Sequence, residues 1–197
     1  MESFAPAVTI VIPTHSAERW NLLVRTVASA RSQAHRPAAV IVVVDHNPEL
    51  FRRIRRDLAG VTVLENAYAK GVSGNRNTGA FHAETSLIAF LDDDTVADPQ
   101  WLGSLVRPFA DRSVVGTGGG ISPDWERSRP RWMPDEFLWA VGGSYAGMPT
   151  RTAPIRNVWS ASMVVAARSS SRSAASGSGS ASSATRTAPR TPSSACG

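Results

Sequence analysis

Four short apolar runs, each separated from the next by a stretch of helical periodicity, constrain this chain more than any other feature. The runs are residues 8–12, 39–44, 61–64 and 87–91. The second, Ala-Val-Ile-Val-Val-Val, is continuous and β-branched, as expected of a strand buried on both faces. Between the runs the period changes from two to nearly four. Trp20, Leu23, Val24, Val27 and Ala30 form a stripe within 17–33. Pro48 opens a second helix with Leu50, Phe51, Ile54 and Leu58 on one side and arginines on the other. A weaker helix is predicted over 73–84, and another from Asp98-Pro99 to Phe109. Pro13 is expected to end the first strand, and Val114-Val115 leads into a run of glycines. Strands alternating with helices argue for an α/β domain with a mainly parallel sheet. Residues 121–154, with scattered prolines and Trp125, Trp132 and Trp139, are predicted to be a long irregular region lying on that sheet.

The composition changes near Val165. Residues 166–197 hold eleven Ser, eight Ala and four Arg, and no Val, Ile, Leu, Met or aromatic residue. Such a segment cannot bury enough apolar surface to offset its ordering entropy, so disorder is expected there. The domain boundary is accordingly expected at residue 165. A native flexible tail and a change of reading frame in a GC-rich coding region both account for this break. The net charge of +5 belongs mostly to the tail, whose four arginines face no acid and leave +1 for residues 1–165. With no basic stripe on the body, nucleic acid is not an expected partner. The longest apolar run, 38–44, is far short of the about 20 residues of a membrane span. Glu2 stands where a signal peptide carries a base, and the single cysteine, Cys196, excludes an internal disulfide framework. A cytoplasmic location is expected.

In open parallel sheets, ligands bind beyond the carboxyl ends of the strands. Three such ends carry polar residues: Pro13-Thr14-His15, Asp45-His46-Asn47 and Asp92-Asp93-Asp94. Each alone is equally well read as a cap or turn; their convergence on one edge is what points to a site. Three adjacent carboxylates repel one another, and a cation relieves this most directly. Mg2+ and Mn2+ suit such oxygen ligands and leave positions for water and substrate phosphates. The run from Gly71 to Gly79, Gly-Val-Ser-Gly-Asn-Arg-Asn-Thr-Gly, lies between a strand and a helix. It suits close backbone approach to a phosphate, or simply a helix capped by Ser73.

Taken together these segments resemble family 2 glycosyltransferases, which have the GT-A fold. Residues 8–14 resemble the first strand of that family, and Val42-Val43-Val44-Asp45 its second strand with the nucleotide-contacting acid. Residues 74–79 resemble its "ARNxG" helix start, and Leu91-Asp92-Asp93-Asp94 its DXD motif. The resemblance covers residues 7–165 and implies a Rossmann-like sheet with flanking helices, incomplete on its C-terminal side. It implies a nucleotide-sugar donor bound by Pro13, Thr14, Asp45, Arg76, Asp92 and Asp93. Thr14 and Asp45 would contact base and ribose, Arg76 the base or phosphates, and Asp93 would lie near the ribose. Asp92 and Asp94 would hold the divalent metal, Mg2+ or Mn2+. His46 replaces a second acid or an asparagine common in the family, which leaves UDP, dTDP and GDP donors open. The implied acceptor is a saccharide or a lipid-linked saccharide, as in polysaccharide biosynthesis, with peripheral contact at the inner face of the membrane. The aromatic residues between Trp125 and Tyr145 would lie on the acceptor side, or would anchor the loop to the sheet.

Inverting transfer needs a general base. In the resembled family it is an acid on a helix beyond the segment similar to residues 155–165, and the Ser/Ala tail has no carboxylate side chain. The catalytic base is therefore unassigned, and a truncated or frameshifted transferase of impaired activity is expected. A non-catalytic nucleotide-sugar-binding fragment is the alternative. Asp92-x-Asp94-x-Val96 also fits the DxDx[TV] of haloacid-dehalogenase-type phosphatases, but that motif belongs on a first strand with a later lysine, and Lys70 precedes it.

Overall fold

In the computed structural model, which describes residues 6–167, the first apolar run becomes strand β1, Val8–Thr14. It continues through Pro13 rather than stopping there. The reason is its neighbours: the ladder to the fourth strand ends at Val11 paired with Phe90, so the missing proline N–H interrupts nothing on that side. A 3-10 turn, Ala17–Arg19, capped by the Ser16 hydroxyl, leads into helix α1, Trp20–Arg31. Strand β2, Ala39–Val44, and helix α2, Pro48–Asp57, follow. Asn47 caps α2, its Oδ1 accepting from the Leu50 amide at 3.0 Å. Strand β3, Thr62–Glu65, helix α3, Val72–His82, and strand β4, Leu87–Leu91, complete the predicted alternation. Helix α4, Trp101–Val106, runs into the 3-10 turn Arg107–Ala110, and strand β5, Gly116–Gly118, lies in the glycine run. Residues 121–154 are irregular except for the 3-10 turn Asp135–Val141.

The described residues form a six-stranded sheet in the order β3-β2-β1-β4-β6-β5. Strands β1 to β4 are mutually parallel. Strand β6, Ser162–Ala166, is antiparallel to both β4 and β5 and sits between them. The strand crosses the expected boundary at residue 165, and the Ala167 amide beyond it donates to the Ser86 carbonyl at 2.8 Å. The rest of the expected disordered tail, 168–197, lies outside the described residues.

Alternation along the strands supplies two cores. Ile10, Ile12, Val42 and Val44 face α1, α2 and α4 through Leu23, Val27, Leu50, Ile54 and Leu102. Val11, Ile41, Val43, Ile88 and Phe90 face the other way, where Ala80 of α3 covers them. Helix α3 lies close on the sheet because Gly79 has no side chain: a Cβ there would overlap both Cγ atoms of Val11, which is fully buried. Gly79→Val should therefore lower unfolding free energy by about 3 kcal/mol, the upper range for overpacking. Urea denaturation measures it, and an unchanged midpoint would mean that α3 does not rest on Val11.

Candidate functional site

The parallel strands bring β1, β2 and β4 to a common carboxyl edge. A cleft of about 380 Å³ opens there, lined by Pro13, Thr14, Asp45 and all three acids of Asp92-Asp93-Asp94. The three strand ends singled out in the sequence thus share one crevice. His15, Arg19, Lys70, Gly71, Val72 and Asn75 complete its wall.

Asp45 is 6% exposed and anchors the floor. Its Oδ1 accepts from Asn66 Nδ2 at 2.7 Å and pairs with His46 Nδ1 at 2.9 Å, while Oδ2 accepts from the Gly71 amide at 2.9 Å. Burial alone would raise this carboxyl's pKa. The hydrogen bonds from Asn66, His46 and Gly71 outweigh burial and hold it below the usual carboxylate range. The bond from Gly71 needs its φ of +135°, which a side chain would oppose. Gly71, not Ser73, precedes α3, and no side chain caps that helix. His46, beside Asp45, has φ 50°, a left-handed conformation uncommon outside glycine.

The acid triplet is divided by environment. Asp93 is buried: Thr14 Oγ1 donates to it at 2.7 Å and Arg19 Nη1 at 3.0 Å, and its own carbonyl accepts from Thr26 Oγ1 at 3.0 Å. The Thr14 bond ties the ends of β1 and β4 together, and the other two tie the end of β4 to the turn before α1 and to α1 itself. Asp92 and Asp94 are more open, at 32% and 43% side-chain exposure. Arg76 Nη2 reaches Asp92 at 2.6 Å, and the same Arg19 Nη1 reaches Asp94 at 3.0 Å. The repulsion within the triplet is thus answered by two guanidinium groups. Its hydrogen bond to Asp93, with the charges of the triplet, holds Arg19 above its ordinary pKa.

Arg19, Asn66 and Asn75 are site residues that pattern reading misses. Arg19 looks like any residue at a helix start, and Asn66 lies 21 positions from the carboxylate it supports. Asn75 is 2% exposed; its Nδ2 donates to the Thr14 carbonyl at 3.3 Å. Its Oδ1 and the Nε of Arg76 are buried without a hydrogen-bond partner. Such orphans are rare in folded proteins. Farther away, Asp124 pairs with Arg25 and Asp135 with Arg129. Trp132 and Trp139 are 77% and 52% exposed, so they do not anchor the irregular region to the sheet.

Among the described residues, no three His, Cys, Asp or Glu side chains are grouped to hold a metal by themselves. Two open carboxylates at one strand end still suit a hard divalent ion that takes its remaining oxygens from water and a phosphorylated ligand. The run Asp92-x-Asp94-x-Val96 lies after β4, the fourth strand of the chain, where the phosphatase motif would need the first.

A mainly parallel sheet whose carboxyl edge carries an acid triplet and a glycine-started helix has the GT-A type of architecture. Residues 9–169 match the family described as Glycosyl transferase family 2, and the chain belongs to that family. It is 33% identical over 156 residues to the glucosyl-dolichyl phosphate glucuronosyltransferase of Haloferax volcanii, covering 77% of this chain and 50% of that protein. It is 30% identical over 122 residues to the pre-mycofactocin glycosyltransferase of Mycobacterium tuberculosis, covering 48% and 26%. The fold is similar to a mannosyltransferase from Pyrobaculum calidifontis solved with GDP-Man and Mn2+, with a TM-score of 0.52, 22% identity, and 61% and 37% coverage. TarS residues 1–349 of S. aureus give the same TM-score, 0.52, at 17% identity, with 82% and 47% coverage. The chain spans half or less of the length of each of these proteins.

Proposed function

We propose that the chain carries the donor-binding part of a metal-dependent, inverting sugar transfer from a nucleotide-sugar to a saccharide or lipid-linked acceptor. The observation that carries this reading is the single cleft shared by Thr14, Asp45, Asn75 and the acid triplet. Thr14 and Asp45 line its β1–β2 side, where base and ribose would lie. Asp45 keeps lone pairs for ligand hydroxyl or N–H groups beyond its three protein bonds. Arg76, which bonds Asp92 and is not itself among the residues lining the cleft, would turn to the phosphates or base. Asp92 and Asp94 would hold Mg2+ or Mn2+, with Asp93 fixed behind them beside the ribose. A divalent ion bound there would neutralise charge developing on the leaving nucleoside diphosphate. The Mn2+ and GDP-Man of the Pyrobaculum neighbour support this assignment.

The dolichyl phosphate in the name of the Haloferax relative supports a lipid-linked acceptor. The exposed Trp132, Phe137 and Trp139 would give such an acceptor, or a membrane surface at the cytoplasmic face, apolar area to meet. Among the described residues no helix is long and apolar enough to cross a membrane. We place the C-terminal limit of the domain no earlier than residue 167, where the pairing of β6 ends, rather than at 165, with the general base outside the residues named here. The test is calorimetry of the chain with UDP-, dTDP- and GDP-sugars, with and without Mn2+. Saturable binding of one nucleotide class that requires Mn2+ is the expected result. No binding across the panel would remove the reading.

A further inference from the structure

Arg19 sits on the cleft wall with one nitrogen shared between two carboxylates. Its Nη1 lies 3.0 Å from Asp93 Oδ1 and 3.0 Å from Asp94 Oδ2. The two acids differ. Asp93 is 5% exposed and also bonded by Thr14, so it is fixed. Asp94 is 43% exposed, and Arg19 is the one partner its carboxylate has among the described residues. Arg19 itself is 43% exposed and ends the three-residue 3-10 turn that runs into α1. Its head is therefore held at a buried carboxylate on one side and open to the cleft on the other. Any divalent ion that takes Asp94 must displace or repel this guanidinium. Once displaced, the guanidinium faces the same cleft that the phosphates would enter, and a planar fork of N–H donors suits phosphate oxygens.

We propose that Arg19 is a positioning residue for the donor diphosphate: a resident counter-cation on Asp94 that passes to the phosphate oxygens when a divalent ion and a nucleoside diphosphate enter together. The proposal rests on the donor-site reading above. Its consequence is a coupling between two ligands. Without nucleotide, Arg19 opposes the metal; with nucleotide, it holds the phosphates that share the metal. Metal alone is then bound weakly, and metal with diphosphate strongly, from the same residue.

The test uses the full chain and two variants, Arg19→Ala and Arg19→Gln, with Mn2+ alone followed by electron paramagnetic resonance and with UDP and GDP followed by calorimetry at saturating Mn2+. A divalent ion about 5 Å from a unit positive charge loses roughly tenfold in affinity even at the dielectric of water. Both variants should therefore bind Mn2+ alone about tenfold more tightly than the parent chain. In saturating Mn2+ both should bind the preferred nucleoside diphosphate about tenfold more weakly, the loss of one charge-assisted hydrogen bond. Uridine and guanosine, which lack phosphates, should bind all three proteins alike. A merely structural role for Arg19 would weaken both ligands together, and that result, or no change in either, overturns the proposal. If Arg19→Ala does not fold, Arg19→Gln retains the side-chain length and a hydrogen-bond donor and carries the test. If the parent chain binds neither Mn2+ nor a nucleoside diphosphate, the donor-site reading falls and takes this proposal with it. Binding by the parent with unchanged variants sinks the proposal alone.

Discussion

Asp94→Ala should lower Mn2+-dependent affinity for a nucleoside diphosphate by more than about a hundredfold, since even residues that only orient metal ligands are worth 10–100-fold. The side chain is 43% exposed and bonded to Arg19 alone, so its loss leaves no buried group unpaired, and the thermal midpoint should stay near that of the parent. That separation makes the variant informative. On the proposed reading affinity would fall because the ion would lose a direct oxygen ligand, while the fold is retained. Calorimetry with UDP and GDP, with and without Mn2+, reads the effect. Unchanged metal-dependent affinity in a folded variant would show that Asp94 is not a ligand and that the open end of the triplet has another role.

Asp45→Ala should act on stability as well as on binding. The carboxylate accepts from the Asn66 amide and the Gly71 backbone; Asn66 keeps its bond to the Ala69 carbonyl, so the Gly71 N–H is the donor left without that partner. A loss of about 1 kcal/mol is expected from one part-buried donor left unsatisfied. The same carboxylate gives a pH signature. Its folded pKa lies below its unfolded value, so its stabilising contribution is fully present above the unfolded pKa of about 4 and is lost as pH falls through the lower folded value. The parent should lose stability more steeply than Asp45→Ala in that acid range. Urea titrations of both proteins between neutral pH and pH 3 test this; parallel curves would mean that Asp45 is not held as a carboxylate in the folded chain.

Why the strand-end carboxylates were legible and Arg19 was not follows from what each feature depends on. The strands β1, β2 and β4 announce themselves because both faces are covered, which demands unbroken apolar runs. Once those strands are known to be parallel, the residues after them must share an edge, and Thr14, Asp45 and Asp92–Asp94 follow. Pairings across that edge depend on side-chain reach, which no local pattern encodes. Asp93 illustrates the limit: adjacency in sequence groups it with Asp92 and Asp94, whereas its bonds to Thr14 and Thr26 make it a tie from the end of β4 to β1 and α1. Strand β6 escaped for a different reason. Its five residues are preceded by irregular chain and followed by an Ala/Ser run, so no turn signal or periodicity sets it apart. Ser162 at its start is bound to α4 through Trp101 Nε1 at 2.9 Å, a contact across 61 positions.

The place of β6 also sets an order of events during synthesis. Strand β4 emerges from the ribosome long before its partner at Ser162–Ala166, and until then its outer edge is unpaired. An apolar strand with an open edge is a template for pairing with another chain. Strand β5 offers no cover, because it hydrogen-bonds to the sheet through β6. The nascent chain therefore passes through a window, between completing β4 and completing β6, in which chaperone contact or aggregation competes with closure. Any translation pause that comes before residues 162–166 have left the ribosome would lengthen that window.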